Sequence, residues 1–95
     1  MYVHSAKLTF SIPHAASLKD KRQVCRSITD KTRHKFNAAV AEVDTQDVHQ
    51  MLTLGVAVVS GVASHAANSL DTIIRYMEEC TDGALVEVLT DYSFL

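Results

Sequence analysis

An α+β domain with the order β-α-β-β-α-β is the fold this sequence predicts, with one four-stranded antiparallel sheet and both helices on the same face of it. Three observations predict it. Residues 2–12 alternate apolar and polar side chains, residues 17–36 repeat apolar positions at helical spacing, and a strand–helix–strand pattern recurs loosely from residue 51 onward. With 95 residues there is room for one core, so 1–95 reads as a single domain.

The first strand is YVHSAKLTFSI. Tyr2, Ala6, Leu8, Phe10 and Ile12 share one side, while Ser5, Lys7, Thr9 and Ser11 share the other. Period two with one polar face describes a half-buried strand. Pro13 ends it, because proline cannot donate to a ladder and restricts Ile12 to extended geometry. Ser17 then offers a helix N-cap, with Asp20 three residues on in a capping-box position. Leu18, Cys25, Ile28, Thr32 and Phe36 fall on one arc of the helix that follows. Lys21 lies on that arc too, and in the first turn it is expected to lean out past the packed surface.

Residues 38–44, AAVAEVD, form a second short strand, and the polar stretch TQDVHQ connects it to MLTLGVAVVS. That third strand is the most apolar of the four, as expected near the centre of a sheet. Ala63, Ala66, Ala67, Leu70, Ile73, Ile74 and Met77 keep helical spacing after Gly61. Gly83 occupies a position suited to a left-handed helix C-cap. ALVEVLTDYSFL alternates again and closes the sheet. The economical architecture for this order is the ferredoxin-like split βαβ. It gathers Ser17–Arg22, Asp44–Gln50 and Glu78–Asp82 at one end of the molecule.

Charge is distributed unevenly over these elements. Within 17–36, Lys19, Lys21, Arg22, Arg26, Lys31, Arg33 and Lys35 oppose Asp20 and Asp30, a balance of +5 in a chain whose formal net charge is −2. Lys19, Arg22, Arg26 and Arg33 make a stripe along the helix, interrupted only by Asp30. Cations in a first helical turn oppose the macrodipole, at about 0.3–1 kcal/mol each. Such a local conflict is expected where a site is built. An RNA backbone or another polyanion fits Lys19, Lys21, Arg22, Arg26 and Arg33. The competing reading is neutralisation: Glu78, Glu79 and Asp82 at the end of the second helix would pair with the first-turn cations.

Several classes are disfavoured. A composition 47% hydrophobic, with three Gly and one Pro, belongs to a globular rather than a disordered chain. No apolar run reaches membrane-spanning length, and MYVHSAKL lacks the layout of a signal peptide, so a cytoplasmic protein with no membrane partner is expected. Cys25 and Cys80 are isolated, without metal spacing, and read as reduced thiols on the apolar sides of helices. Asp44, Asp47 and His49 superficially resemble an acid–base or metal cluster, but a hydrogen-bonded hairpin loop accounts for them. No phosphate loop, nucleophile elbow or paired-carboxylate arrangement is present, so neither an enzyme nor a cofactor is expected. The open sheet face, with Ser5, Lys7, Thr9, Thr53, Gly55 and Ala57, lacks the aromatics that stack bases. It suits self-association instead, as a homodimer through that face or an edge strand. The alternative to RNA binding is an oligomeric interaction module whose charged ends dock a protein partner, with no nucleic-acid ligand.

The segments SLKDKR, AEVDTQDVHQ and LGVAVVS resemble the YlxP-like family, small bacterial proteins classed as a domain of unknown function. The resemblance covers most of the chain and implies a ferredoxin-like fold. Family members are often encoded among translation and ribosome-maturation genes, which implies an RNA or ribonucleoprotein partner. It supplies no catalytic residue. Where the family usually carries Trp before the residue matching Gln50, this chain has His49. The resemblance thus marks Asp47, His49 and Gln50 as a contact loop in which His49 would stack weakly and with pH dependence.

Overall fold

The computed structural model describes residues 1–95. Its elements are β1 (Tyr2–Ser11), α1 (Leu18–Lys35), β2 (Ala39–Asp44), β3 (Met51–Ser60), α2 (Ala63–Glu79) and β4 (Ala84–Phe94). All neighbouring strands are antiparallel, in the order β2-β3-β1-β4. This is the ferredoxin-like α+β fold that the element order predicts.

The alternation in β1 becomes burial. Ala6, Leu8, Phe10 and the following Ile12 are buried on the helix side, opposite Val56, Leu54 and Leu52 of β3. Ile28 from α1 and Ala66, Leu70, Ile73 and Met77 from α2 close the core above them. Deleting any of these large side chains would cost about 2–5 kcal/mol, through lost transfer energy and the cavity left behind. The other face of the sheet holds a row of hydroxyls rather than a core. Thr53 Oγ1 lies 2.9 Å from Thr45 Oγ1 and 3.4 Å from Thr9 Oγ1. These contacts leave Thr53 only 2% exposed on a nominally open surface.

The chain departs from its sequence pattern at two places. Gly83 is not a helix cap: α2 ends at Cys80 in ordinary right-handed geometry, and no glycine has a positive φ. Glycine is needed at 83 for close approach, because a Cβ there would run into the Ser11 carbonyl oxygen and sit 2.8 Å from Ile12 Cγ2. The second departure is β4. α1 packs against β2 while α2 packs against β1 and β3, so apart from Leu85, which is half-buried against the core, the fourth strand is left uncovered. Its alternation therefore does not translate into a buried face.

Candidate nucleic-acid interface

The start of α1 is fixed by its own side chains. Ser17 Oγ accepts from the Asp20 N–H at 3.1 Å, and Asp20 Oδ2 accepts from the Ala16 N–H at 3.0 Å. The chain thereby supplies its own carboxylate at the helix N-terminus, where the dipole attracts negative charge. An anion approaching that end meets the Asp20 carboxylate.

Lys21 does not lean out. It is 2% exposed and directed under the helix. Its Nζ donates to the carbonyls of Thr45 and Val48, the latter at 2.9 Å, and lies 3.0 Å from Glu42 Oε2. Glu42 projects from the helix side of β2, and its Oε2 has no hydrogen-bond partner, so Lys21 neutralises it as an ion pair without hydrogen-bond alignment. The physical reason for the inward turn is the acid below: once Glu42 is buried, a cation beside it costs less than leaving the carboxylate alone. Lys21 is thus removed from the expected anion-binding set and becomes the tie between α1 and the β2–β3 turn. That turn needs tying, since Thr45 stands at φ 53°, a left-handed conformation unfavourable for a β-branched residue.

Lys19, Arg22 and Arg26 are exposed, and no carboxylate pairs with them. Only two side-chain ion pairs form in the whole chain, Lys7–Asp44 at 3.8 Å and the buried Lys21–Glu42. The expected neutralisation by Glu78, Glu79 and Asp82 does not occur. Of those acids Asp82 faces a different flank of α1: with Cys80 and Thr81 it lines a polar cleft of about 420 Å³ alongside Gln23, Val24, Ser27 and Lys31. At about 100° per residue, Gln23, Ser27 and Lys31 are centred about 120° around the helix from Arg22, Arg26 and Arg33. Arg33 continues the stripe, with Nη2 donating to the Val40 carbonyl on β2 while its other N–H groups stay available. Lys35 stands apart, with Nζ 4.5 Å from the centre of the Tyr76 ring.

In the β2–β3 connection, Asp47, His49 and Gln50 sit in different surroundings. Gln50 joins the β1–α1 connection, its carbonyl accepting from the Ile12 N–H at 2.9 Å and its Nε2 donating to the Pro13 carbonyl at 3.4 Å. Asp47 and His49 are exposed and make no hydrogen bond or ion pair. No group of three or more His, Cys, Asp or Glu side chains comes together with metal-ligating geometry. Cys25 and Cys80 are both free and half-buried. Burial, followed by the nearby Glu42 charge, raises the Cys25 thiol above its ordinary value of 9.0, the opposite of what a nucleophile requires. No helix is long and apolar enough to cross a membrane.

Sequence reasoning missed Glu42 altogether. The signal was present: an acid at an inward position of β2 and a lysine in the middle of the apolar arc of α1. Two opposite charges, each on a face that must be buried, imply that they meet.

Comparison with known proteins bears on the whole chain. The family described as "Protein of unknown function (DUF503)" matches residues 3–90. "Uncharacterized protein YlxP" of Bacillus subtilis (strain 168) is 31% identical over 64 residues, which span 67% of this chain and 70% of that protein. Among solved structures, "De novo designed protein Foldit4" superposes with a TM-score of 0.58 at 10% identity, covering 99% of this chain and 97% of that one. At that identity the likeness is one of fold alone.

Proposed function

The chain belongs to the DUF503 family, a family of unknown function, and from that premise and its own geometry we propose that it is a non-catalytic RNA-binding domain. It holds the sugar-phosphate backbone of an RNA or a ribonucleoprotein surface, such as the ribosome, in the cytoplasm. Lys19, Arg22, Arg26 and Arg33 supply the charge. The observation that carries the reading is the absence of any ion pair at Lys19, Arg22 and Arg26 in a chain that has 11 acidic residues against nine cations. An acidic protein that leaves these cations free along one helix flank keeps them for an external anion. Helical spacing sets Arg22, Arg26 and Arg33 in a row about 16 Å long, at 1.5 Å of rise per residue, enough for several consecutive phosphates. Backbone contacts of this kind position an RNA without reading its sequence.

The experiment is fluorescence anisotropy with labelled single-stranded oligoribonucleotides of mixed sequence. The wild type is expected to bind with little sequence preference, and a Lys19→Gln, Arg22→Gln, Arg26→Gln variant to lose most of that affinity while keeping its melting temperature. Equal binding by the two proteins rejects the reading. Lys21 belongs outside this variant, because its loss would unfold the site it was meant to probe.

A further inference from the structure

We propose that β4 is the docking edge for a basic, extended segment of a different protein. That segment joins the sheet as an antiparallel fifth strand and sets lysine or arginine against Glu87 and Asp91. The two edges of the sheet are built differently. β2 spans six residues, Arg33 donates to its Val40 carbonyl, and Glu42 places a charge on its inward face. Short length, a covered carbonyl and an inward charge all discourage strand addition. β4 spans 11 residues and has none of these protections. The ladder with β1 shows which of its backbone groups are free. Met1 and Leu95 exchange both hydrogen bonds, the Met1 nitrogen donating to the Leu95 carbonyl at 2.6 Å and the Leu95 N–H to the Met1 carbonyl at 2.8 Å. Such exchanges recur at every second residue of an antiparallel pair. Ser93, Asp91, Leu89 and Glu87 therefore turn their N–H and carbonyl groups toward β1, while Phe94, Tyr92, Thr90 and Val88 turn theirs to the open edge. The Tyr92 N–H agrees with this, since it donates to Asp91 Oδ1 at 2.8 Å. Tyr92 and Phe94 are 72% and 68% exposed on the helix side, with Val88 beside them. Both rings are already ordered, Phe94 against Tyr2 and Tyr92 against His4, which lowers the entropic cost of covering them.

Charge selects the occupant. Glu87, Leu89 and Asp91 share the face turned away from the helices, and both acids are exposed without an ion pair. Lys7, which the register sets opposite Leu89 between them, pairs instead with Asp44 on β2. From Ala84 to Leu95 there is no Lys or Arg to offset the two charges. RNA and an anionic lipid surface carry the wrong sign for such an edge. So does a second copy: the two edge strands it could offer, β2 and β4, hold acids and no Lys or Arg. A strand from another protein, with cations at alternate positions, has the right sign. Antiparallel addition is the more stable pairing, and it opposes Glu87, Leu89 and Asp91 at non-hydrogen-bonded positions, where side chains come closest. Cations four residues apart then meet the two acids, and the alternate residues meet Val88 and Tyr92. Opposite-charge pairs and aromatic–β-branched pairs are both favourable across strands. Docking also frees Asp91, because a carbonyl of the added strand takes over the Tyr92 N–H and the carboxylate turns to the incoming cation. β4 lies at the opposite edge of the sheet from β2, against which α1 packs, so this inference stands independently of the RNA reading. One added strand is a small interface, which sets the dissociation constant at about 1–100 µM.

The probe is a labelled, end-blocked peptide of alternating valine and lysine, about as long as the 11 residues of β4, titrated by fluorescence anisotropy. The expected result is saturable binding that weakens about 2–30-fold in a Glu87→Gln, Asp91→Asn variant, the equivalent of two cross-strand ion pairs at about 0.2–1 kcal/mol each. Both acids are exposed, so that variant keeps its melting temperature. A Glu87→Lys, Asp91→Lys variant is expected to prefer a peptide of alternating valine and glutamate. In the proposed alignment the valine N–H groups face β4 and the lysine N–H groups face away. Methylating the valine nitrogens is therefore expected to abolish binding, and methylating the lysine backbone nitrogens to leave it. A peptide that fails to bind by about 1 mM overturns the proposal. Undiminished affinity in the Glu87→Gln, Asp91→Asn variant overturns it by placing the contact elsewhere. Equal binding of the valine-methylated peptide overturns it by reducing the contact to charge attraction without an added strand.

Discussion

Replacing Lys21 with Met tests whether a cation on the most basic helix serves the fold rather than the ligand. The lysine is almost fully buried, and its removal leaves Glu42 Oε2 with no counter-charge and the Val48 carbonyl without its donor, while the Thr45 carbonyl keeps only the Val48 N–H. Stranding one member of a buried pair costs about 3–5 kcal/mol. Glu42 keeps 24% of its side-chain exposure, so water relieves part of the strain and the lower end applies, about 3 kcal/mol. For a domain of this size each kcal/mol moves the midpoint by about 4–8 °C, so the melting temperature should fall by about 12–24 °C. Circular-dichroism melts of Lys21→Met, Glu42→Gln and the double variant at neutral pH measure it. The double variant should recover part of the loss, because the carboxylate that caused it is gone. A Lys21→Met protein that melts with the wild type, or a double variant less stable than Lys21→Met, would refute the reasoning.

Two further outcomes follow from the packing. Gly83→Ala should destabilise by about 1–3 kcal/mol, read as a lower urea midpoint, because the new methyl group meets the Ser11 carbonyl oxygen rather than a movable side chain. Cys25, whose thiol is raised above 9.0, should be alkylated by iodoacetamide more slowly in the native protein than in the urea-unfolded chain near pH 8, as followed by peptide mass spectrometry. The native state holds that proton more tightly, so its contribution to stability is full below pH 9.0 and declines as pH rises through the higher folded value.

The fold was legible because each element declares its period. Pro13 and Ser17 mark the turn from β1 into α1, and the apolar run Met51–Ser60 marks a central strand, so little tertiary information was needed to order them. The site was less legible, and for a specific reason. A helical wheel places Lys21 among apolar residues but cannot supply the acid waiting on β2, since the distance between residues 21 and 42 closes only in three dimensions. The same limit hid the relation of α2 to the cations. Antiparallel helices bring Glu78–Asp82 to the correct end, yet the flank they meet depends on how the helices pack. Gly83 misled in a simpler way, because glycine before a strand serves close approach as readily as a left-handed cap. The exposure of β4 had no local signature at all: ALVEVLTDYSF reads like a covered strand, and only the placement of the helices leaves it bare.

The most direct measurement is the salt dependence of RNA binding by wild type and by the Lys19→Gln, Arg22→Gln, Arg26→Gln variant. If Lys19, Arg22, Arg26 and Arg33 each hold one phosphate of a single strand, log K should fall against log salt with a slope of about −3, and the variant, left with Arg33, should give about −1. The same slope for both proteins, or no salt-dependent binding by either, would contradict the claim that the free flank of α1 is a polyanion site.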